Sequence, residues 1–185
     1  MSSLPVEQFS GKTVVVDNPA IVQDAIAILS TFDIVGFDTE TRPNFSKNQH
    51  HKVSLIQIAT PDCCFLFRLN KLKGIPQELE NFLKDGKTIK VGLSLLDDFH
   101  NIRKIMKFES CSFIDLQKIV PSYGIQDASL QKIYAILFGK KISKRMQLTN
   151  WEADKLTDAQ KKYAALDAWA CLMIYQKLIN NNITP

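Results

Sequence analysis

The chain has 185 residues, 45% of them hydrophobic and 23% charged, with a formal net charge of +4. These proportions belong to a globular domain and exclude a disordered or collagen-like chain. At this length a core forms without disulfides or a structural metal. The mild positive charge suits a polyanionic partner and does not by itself identify one.

The seven glycines and seven prolines are scattered, and no repeat or low-complexity linker divides the chain, so one domain over residues 1–185 is expected. The apolar run AWACLMIY falls far short of the roughly 18–20 residues that cross a bilayer. The N-terminal MSSLPVEQFSGKTVVV lacks the basic stretch, apolar segment and cleavage site of a secretory signal. Cys63, Cys64, Cys111 and Cys171 form no CxxC, and the vicinal pair is ill-suited to an ordinary bridge. Reduced thiols and a cytoplasmic location are expected.

In chain order, the β-branched TVVV at 13–16 reads as a strand, and residues 20–29 show helical apolar spacing through Ile21, Ala25, Ile28 and Leu29. The run Ile34 to Phe37 reads as a buried strand with Asp38 at or near its C-terminal end. VSLIQIAT (53–60) and CCFLF (63–67), separated by Pro61-Asp62, read as a hairpin. Pro76 opens a short helix carrying Leu79, Phe82 and Leu83, and TIKVGL supplies a strand ending near Gly92. A helix from Leu95 to Met106 follows. FIDLQKIV precedes another helix, capped at Asp127 or Ser129 and stopped by Gly139. Thr157 and Gln160 form a T-x-x-Q capping box for a last helix running to about Leu178. The sum is a mixed α/β domain with an antiparallel part early in the chain.

Three stretches carry candidate chemistry. In FDTET, Asp38 and Glu40 lie two apart, so on an extended backbone both carboxylates point to one face and can share a cation. A solvated strand end is the plainer explanation of a lone D-x-E, but a buried-type strand leads straight into this one. In VGLSLLDDFHNIRKI, residues Leu95, Phe99, Ile102 and Met106 define the buried helix face. Asp98 lies about 70° from its centre, and Asp97 points nearly opposite. Asp98 is thus the inward acid, while a dipole-favoured N-terminal charge accounts for Asp97. In QKKYAALDAWAC, Tyr163 and Asp167 share one helix face, one turn apart. Four ordered acids and a tyrosine suit phosphodiester hydrolysis, in which two Mg²⁺ or Mn²⁺ ions about 3.5–4 Å apart are bridged by oxygen ligands.

On these residues the sequence resembles the DEDD superfamily of 3′-5′ exonucleases in its tyrosine-containing branch, most closely the ribonuclease D and Werner-type group. FDTE matches the first exonuclease motif, VGLSLLDDFHNI the second and YAALDAW the third. TNWEADKLTDAQKKYAALDAW is similar to the family's long C-terminal signature. The match runs from about Ile34 to Tyr175. The resemblance implies a ribonuclease H-like fold, with a mixed sheet of five to six strands flanked by helices, and one nucleotide removed at a time from a DNA or RNA 3′ end. It implies Asp38, Glu40, Asp98 and Asp167 as metal ligands for two divalent cations and Tyr163 as the residue orienting the attacking water. None of His50, His51 or His100 has the spacing of the related histidine branch. The chain ends soon after the third motif, so a free-standing nuclease domain is expected, with nucleic acid as partner, no membrane and no obligate protein partner.

Substrate contacts are expected from Thr39 and Thr41 beside Glu40. Lys144 and Arg145, with Lys140 and Lys141, form a basic stretch before Asn150-Trp151, an electrostatic guide beside a stacking surface; a solvated loop with a packed Trp151 is the alternative. The polar loop after Pro43-Asn44-Phe45, with His50, His51 and Lys52, is placed to approach substrate. It does not make a zinc site, since adjacent histidines cannot readily share one metal. Two other classes share part of this pattern. Asp38-Thr39-Glu40-Thr41 superficially resembles an aspartyl-phosphatase D-x-D-x-T loop, but its second acid is Glu and Tyr163-Asp167 is left unexplained. A catalytically silent nucleic-acid-binding module of the same fold would more naturally have lost one of the acids, and all are present.

Overall fold

The computed structural model describes residues 3–43 and 51–180. Asn44, Phe45 and His50 of the polar loop lie outside the described residues. Strands β1 (Lys12–Val16), β2 (Ile34–Thr41), β3 (Val53–Ala59), β4 (Cys63–Arg68), β5 (Ile89–Gly92) and β6 (Phe113–Asp115) form one sheet in the order β1-β4-β3-β2-β5-β6. The hairpin β3/β4 is antiparallel, as is β2/β3, whereas β1/β4, β2/β5 and β5/β6 are parallel. Helices α1 (Val22–Leu29), α2 (Leu69–Leu72), α3 (Gln77–Lys84), α4 (Leu95–Arg103), α5 (Leu116–Ile119), α6 (Leu130–Phe138) and α7 (Asp158–Asn180) flank it. This is the mixed six-stranded sheet of a ribonuclease H-like fold.

The sheet separates two apolar cores. On one face β2 and β3 contribute Val35, Phe37, Ile56 and Ile58 to a cluster with α1, α3 and α4. On the other face Leu55, Ala59 and Leu66 pack on Trp151 and the alanines of α7. β3 is buried along its whole length because it has strands on both edges and helices on both faces. α7 crosses β2, β3, β4 and β5. It lies close because position 36 is glycine: a Cβ there would sit 1.9 Å from the Ala168 carbonyl oxygen. The capping box forms as read, with Gln160 N–H donating to Thr157 Oγ1 (3.2 Å) and Thr157 N–H donating to Gln160 Oε1 (3.0 Å).

Several boundaries differ from the sequence reading. β2 continues to Thr41, so Asp38 is mid-strand rather than at a strand end. The extension is stabilised by β3, which pairs with β2 as far as Thr41↔Val53 across a bulge at Glu40/Thr41. Helix α4 stops at Arg103, not Met106. In α1 the buried face is Val22, Ala25 and Leu29, and Ile28 is left 49% exposed, because at about 100° per residue it lies roughly 90° from the centre of that face. β6 is a strand that the sequence does not announce. Its three residues are all half-buried, which leaves neither an alternating nor a continuous apolar signature.

Candidate active site

The site forms where the two edges of β2 differ. On one edge β3 accompanies β2 to its end, but on the other the pairing with β5 finishes at Gly36↔Val91. Beyond Gly36 that edge of β2 is open, and the first turn of α4 enters the space. Crevices of this kind, at the carboxyl ends of parallel strands, are where open α/β sheets place their ligands.

Alternation along β2 divides the acids between the faces. Asp38 and Glu40 point toward α7, where Asp167 meets them, and one carboxylate oxygen from each of the three lies within 4.8 Å of the others. Thr39 points the opposite way and donates its hydroxyl hydrogen bond to Asp98 Oδ1 on α4. Asp98 is half-buried and Asp97 exposed, as the helical geometry required. The structure therefore brings Asp38, Glu40 and Asp167 into one cluster and ties Asp98 to it through Thr39.

What fixes Asp98 was not visible as a motif. Ser94 has a left-handed backbone (φ 60) and no capping side-chain bond of its own. The start of α4 is instead capped by Asp115, at the end of β6, whose two carboxylate oxygens accept from Ser94 N–H (2.9 Å) and Leu95 N–H (3.1 Å). A second unanticipated device is Arg68, at the end of β4 and only 2% exposed. Its guanidinium donates to the Asp154 carbonyl at 2.8 Å and to the Ala153 carbonyl, holding the segment that leads into α7. A third is Gln57, which pairs across the strands with Asp38 and is fully buried with neither amide atom hydrogen-bonded. Each depends on residues distant in sequence, so no local spacing announces it.

Electrostatically the cluster is under tension. Burial, followed by repulsion from Asp98, Asp167 and Glu40, pushes Asp38 well above the usual carboxylate range. Burial and the charges of Asp167 and Asp98 raise Glu40 to about 9. Burial lifts Asp167 to about 7, opposed by hydrogen bonding from Tyr163 and by the Lys144 charge. Burial lifts Asp98 to about 6, opposed by the Thr39 hydroxyl. Tyr163 is pushed upward as well, by burial and then by Asp167, so its phenol stays protonated and available as a donor. Asp167 Oδ1 is buried with no hydrogen-bond partner among the described residues. Buried, mutually repelling carboxylates with an orphaned oxygen fit a hard divalent cation, the kind of metal this class of site uses.

The expected substrate contacts are dispersed by the fold. Lys144 lines a cavity of about 210 Å³ together with Asp38, Asp167, Tyr163, Gln147 and Ser129, directly beside the acids. Arg145 lines a different cavity, of about 450 Å³, on the other side of Tyr163 with Phe9, Met146 and Lys162. Thr41 is half-buried at the end of β2, and the Thr39 hydroxyl is engaged by Asp98. Trp151 is not a stacking surface: it is fully buried, donates its indole N–H to the Gln147 carbonyl at 3.4 Å and lies 6.1 Å from the Tyr163 ring. A side chain of that size gains more from core packing than from a solvent-facing position. Lys140 is paired with Glu7 rather than free to guide a polyanion.

The sheet order and its flanking helices are those of a ribonuclease H-like domain, with a cluster of acids at the edge of β2. The chain belongs to the 3′-5′ exonuclease family, whose family model matches residues 13–182. It is 30% identical over 187 residues to the bifunctional 3′-5′ exonuclease/ATP-dependent helicase WRN of Mus musculus, covering 96% of this chain and 13% of that protein. It is 33% identical over 151 residues to exonuclease 3′-5′ domain-containing protein 2 of Drosophila melanogaster, covering 80% of this chain and 26% of that one. The chain thus spans a minor part of these relatives. Among solved structures, the Aedes aegypti Nibbler EXO domain superposes with a TM-score of 0.83 at 21% identity, over 97% of this chain and 96% of that one. Escherichia coli RNase D superposes with a TM-score of 0.80 at 21% identity, over 91% and 44%. Trypanosoma brucei RNase D in complex with RNA U12 gives a TM-score of 0.83 at 19% identity, over 96% and 65%. At these identities the structural likenesses show the shared fold.

Proposed function

We propose that this protein shortens DNA or RNA from the 3′ end, hydrolysing the terminal phosphodiester bond and releasing nucleoside monophosphates one at a time. The observation that carries the proposal is the convergence of Asp38, Glu40 and Asp167, with Asp98 linked through Thr39 and Tyr163 one turn before Asp167. Nucleic acid as substrate is supported by the family and by the RNA bound to the T. brucei neighbour.

In this reading Asp38, Glu40, Asp98 and Asp167 hold two divalent cations, Mg²⁺ or Mn²⁺. Such ions, when bound, supply Lewis-acid charge that eases deprotonation of the attacking water and offsets negative charge on the leaving 3′-oxygen. The chain's own part is positional. Tyr163, kept protonated by its surroundings, presents a hydroxyl at the edge of the acid cluster, where it orients water. Lys144 brings positive charge to the open side of the cluster, where a phosphate approaches.

The test is a time course on 5′-labelled single-stranded DNA, single-stranded RNA and partly duplex oligonucleotides with Mg²⁺, Mn²⁺ or EDTA. A ladder descending in single-nucleotide steps from the 3′ end, only with metal, is the expected result, and the faster substrate identifies the preferred sugar. Intact oligonucleotides in every lane would overturn the catalytic assignment and leave a binding module of the same fold.

A further inference from the structure

A cleft of about 590 Å³ lies outside the acid cluster and is lined by His51, Lys52, Ser54, Lys73, Lys104 and Glu152, among others. Its volume is within the range of pockets that hold small ligands. The three lysines come from separate parts of the chain: the approach to β3, the left-handed residue that ends α2 (φ 60), and the end of α4. Among the described residues none of their ammonium groups meets a carboxylate, and Lys104 donates to the Asn101 side-chain oxygen at 2.8 Å. The acid in the lining, Glu152, is already matched, with Arg42 Nη1 at 3.3 Å, Ser54 Oγ at 3.5 Å and His51 Nδ1 at 3.6 Å. The concavity therefore keeps an excess of positive charge, which repels itself until an anion enters.

The cleft is also aligned with the acids. β2 carries Asp38 and, three residues or about 10 Å further on, Thr41, whose partner Val53 lines the cleft. α4 carries Asp98 in its first turn, and Lys104 follows six residues later, about 9 Å along the axis. Two neighbouring elements thus lead from the acid cluster to the cleft over about 9–10 Å, which is about three nucleotides of a helical strand at 3.4 Å each.

We infer that this cleft is a second phosphate-binding site, which takes phosphodiester backbone about three nucleotides away from the bond being cut. The backbone belongs either to the strand being shortened or to a strand paired with it. The identity of the anion rests on the nuclease reading, whereas the cleft's affinity for polyanions does not. Glu152 sits in the cleft as a resident competitor for the entering phosphate.

The experiment compares the wild-type chain with the triple variant Lys52→Ala/Lys73→Ala/Lys104→Ala and with Glu152→Gln. Binding of a fluorescein-labelled single strand and of a duplex with a recessed 3′ end is read by anisotropy across a salt series in EDTA. In parallel, hydrolysis of the p-nitrophenyl ester of thymidine 5′-monophosphate, too small to span from acids to cleft, is followed with Mn²⁺. The triple variant is expected to lose affinity about tenfold or more. Its plot of log K against log salt should flatten by about 0.7 per lost contact on single strands and about 0.9 on duplex. Its rate on the small ester stays within about twofold of wild type, and Glu152→Gln tightens binding about threefold, as removal of one like charge predicts. A defect confined to the duplex assigns the site to the paired strand, and one shared by the single strand assigns it to the digested strand. Unchanged affinity and salt slope in the triple variant, or an equal loss on the small ester, overturns the site. If wild type cleaves neither oligonucleotide nor ester while the triple variant still loses binding, the nuclease reading fails and the cleft stands.

Discussion

Tyr163 shows how one position combines packing with chemistry. Its ring is buried against Trp151, which fixes where the hydroxyl lies, and the hydroxyl itself interacts with Asp167. Tyr163→Phe keeps the ring and removes only the donor. We expect kcat to fall by about 10²-fold, with cation affinity by calorimetry unchanged within about twofold. An unaltered kcat would reduce Tyr163 to a packing residue. Gln57 poses the opposite case, since it is fully buried across the strands from Asp38 with both amide atoms unpartnered. Such a group costs stability unless something satisfies it. Gln57→Leu should therefore raise the urea-unfolding free energy by about 1 kcal/mol. A drop instead would show that the amide has a partner, such as a buried water linking it to the acids. The D-x-E pair and the Y-x-x-x-D pair were legible in the sequence because each lies on a single element with fixed periodicity. Gln57 was not, because its place opposite Asp38 follows from strand register.

At the scale of elements, the site depends on how closely α7 lies on β2. Gly36→Ala would set a methyl group 1.9 Å from the Ala168 carbonyl, against helix backbone that cannot turn aside as a flexible side chain would. The helix must move, at a cost of about 1–3 kcal/mol, and it carries Asp167 away from Asp38. Gly36→Ala is therefore expected to lose cleavage at least tenfold while remaining folded by circular dichroism, and full activity would show that the acids tolerate the shift. Arg68 holds the other end of the same arrangement. Arg68→Met keeps the aliphatic stem but leaves the Ala153 and Asp154 carbonyls without their charged donor. A loss of about 2–3 kcal/mol is expected, with faster amide exchange concentrated in residues 152–156. Uniform exchange along the chain would assign Arg68 to global stability alone. The capping box and the alanine-rich stretch of α7 were readable in advance. The clamp was not, because Arg68 ends a strand more than 80 residues from the carbonyls it holds.

Across the whole molecule, the acids make stability depend on pH and on metal. Asp98 stands at about 6, Asp167 at about 7 and Glu40 at about 9, all above the ordinary value near 4. Ionising them costs more in the folded chain than in the unfolded one. Their stabilising contribution is complete below about pH 4 and is lost as pH rises through those three values. In EDTA the melting temperature should fall from about pH 4 upward, most clearly to about pH 8, beyond which Glu40 alone carries the loss to about 9. Lys90 acts in the opposite sense above that window: burial holds it near 8 while it donates to the Phe82 and Asp85 carbonyls, so its penalty is relieved as pH rises further. Divalent cations, binding only the folded arrangement, should oppose the decline. Asp38→Asn should flatten it, raising the metal-free melting temperature by about 2–4 °C at pH 8 for each kcal/mol recovered. A flat profile in EDTA would mean that the carboxylates do not share a confined volume.

The sequence by itself determined the elements whose signals are local. These were the β3/β4 hairpin, the short helix after Pro76, the capped final helix, the inward acid of the DD pair and the ordered acids with their tyrosine. Periodicity, capping and turn chemistry act over a few residues and can be read where they stand. Tertiary structure decided the rest. It made β2 run past Asp38 because β3 supports one edge while β5 leaves the other open to α4. It placed Trp151 in the core, assigned the α4 cap to Asp115 and divided the basic stretch between a lysine beside the acids and an arginine behind Tyr163. Burial and long-range pairing create these features, and both arise only once segments far apart in the chain compete for the same space.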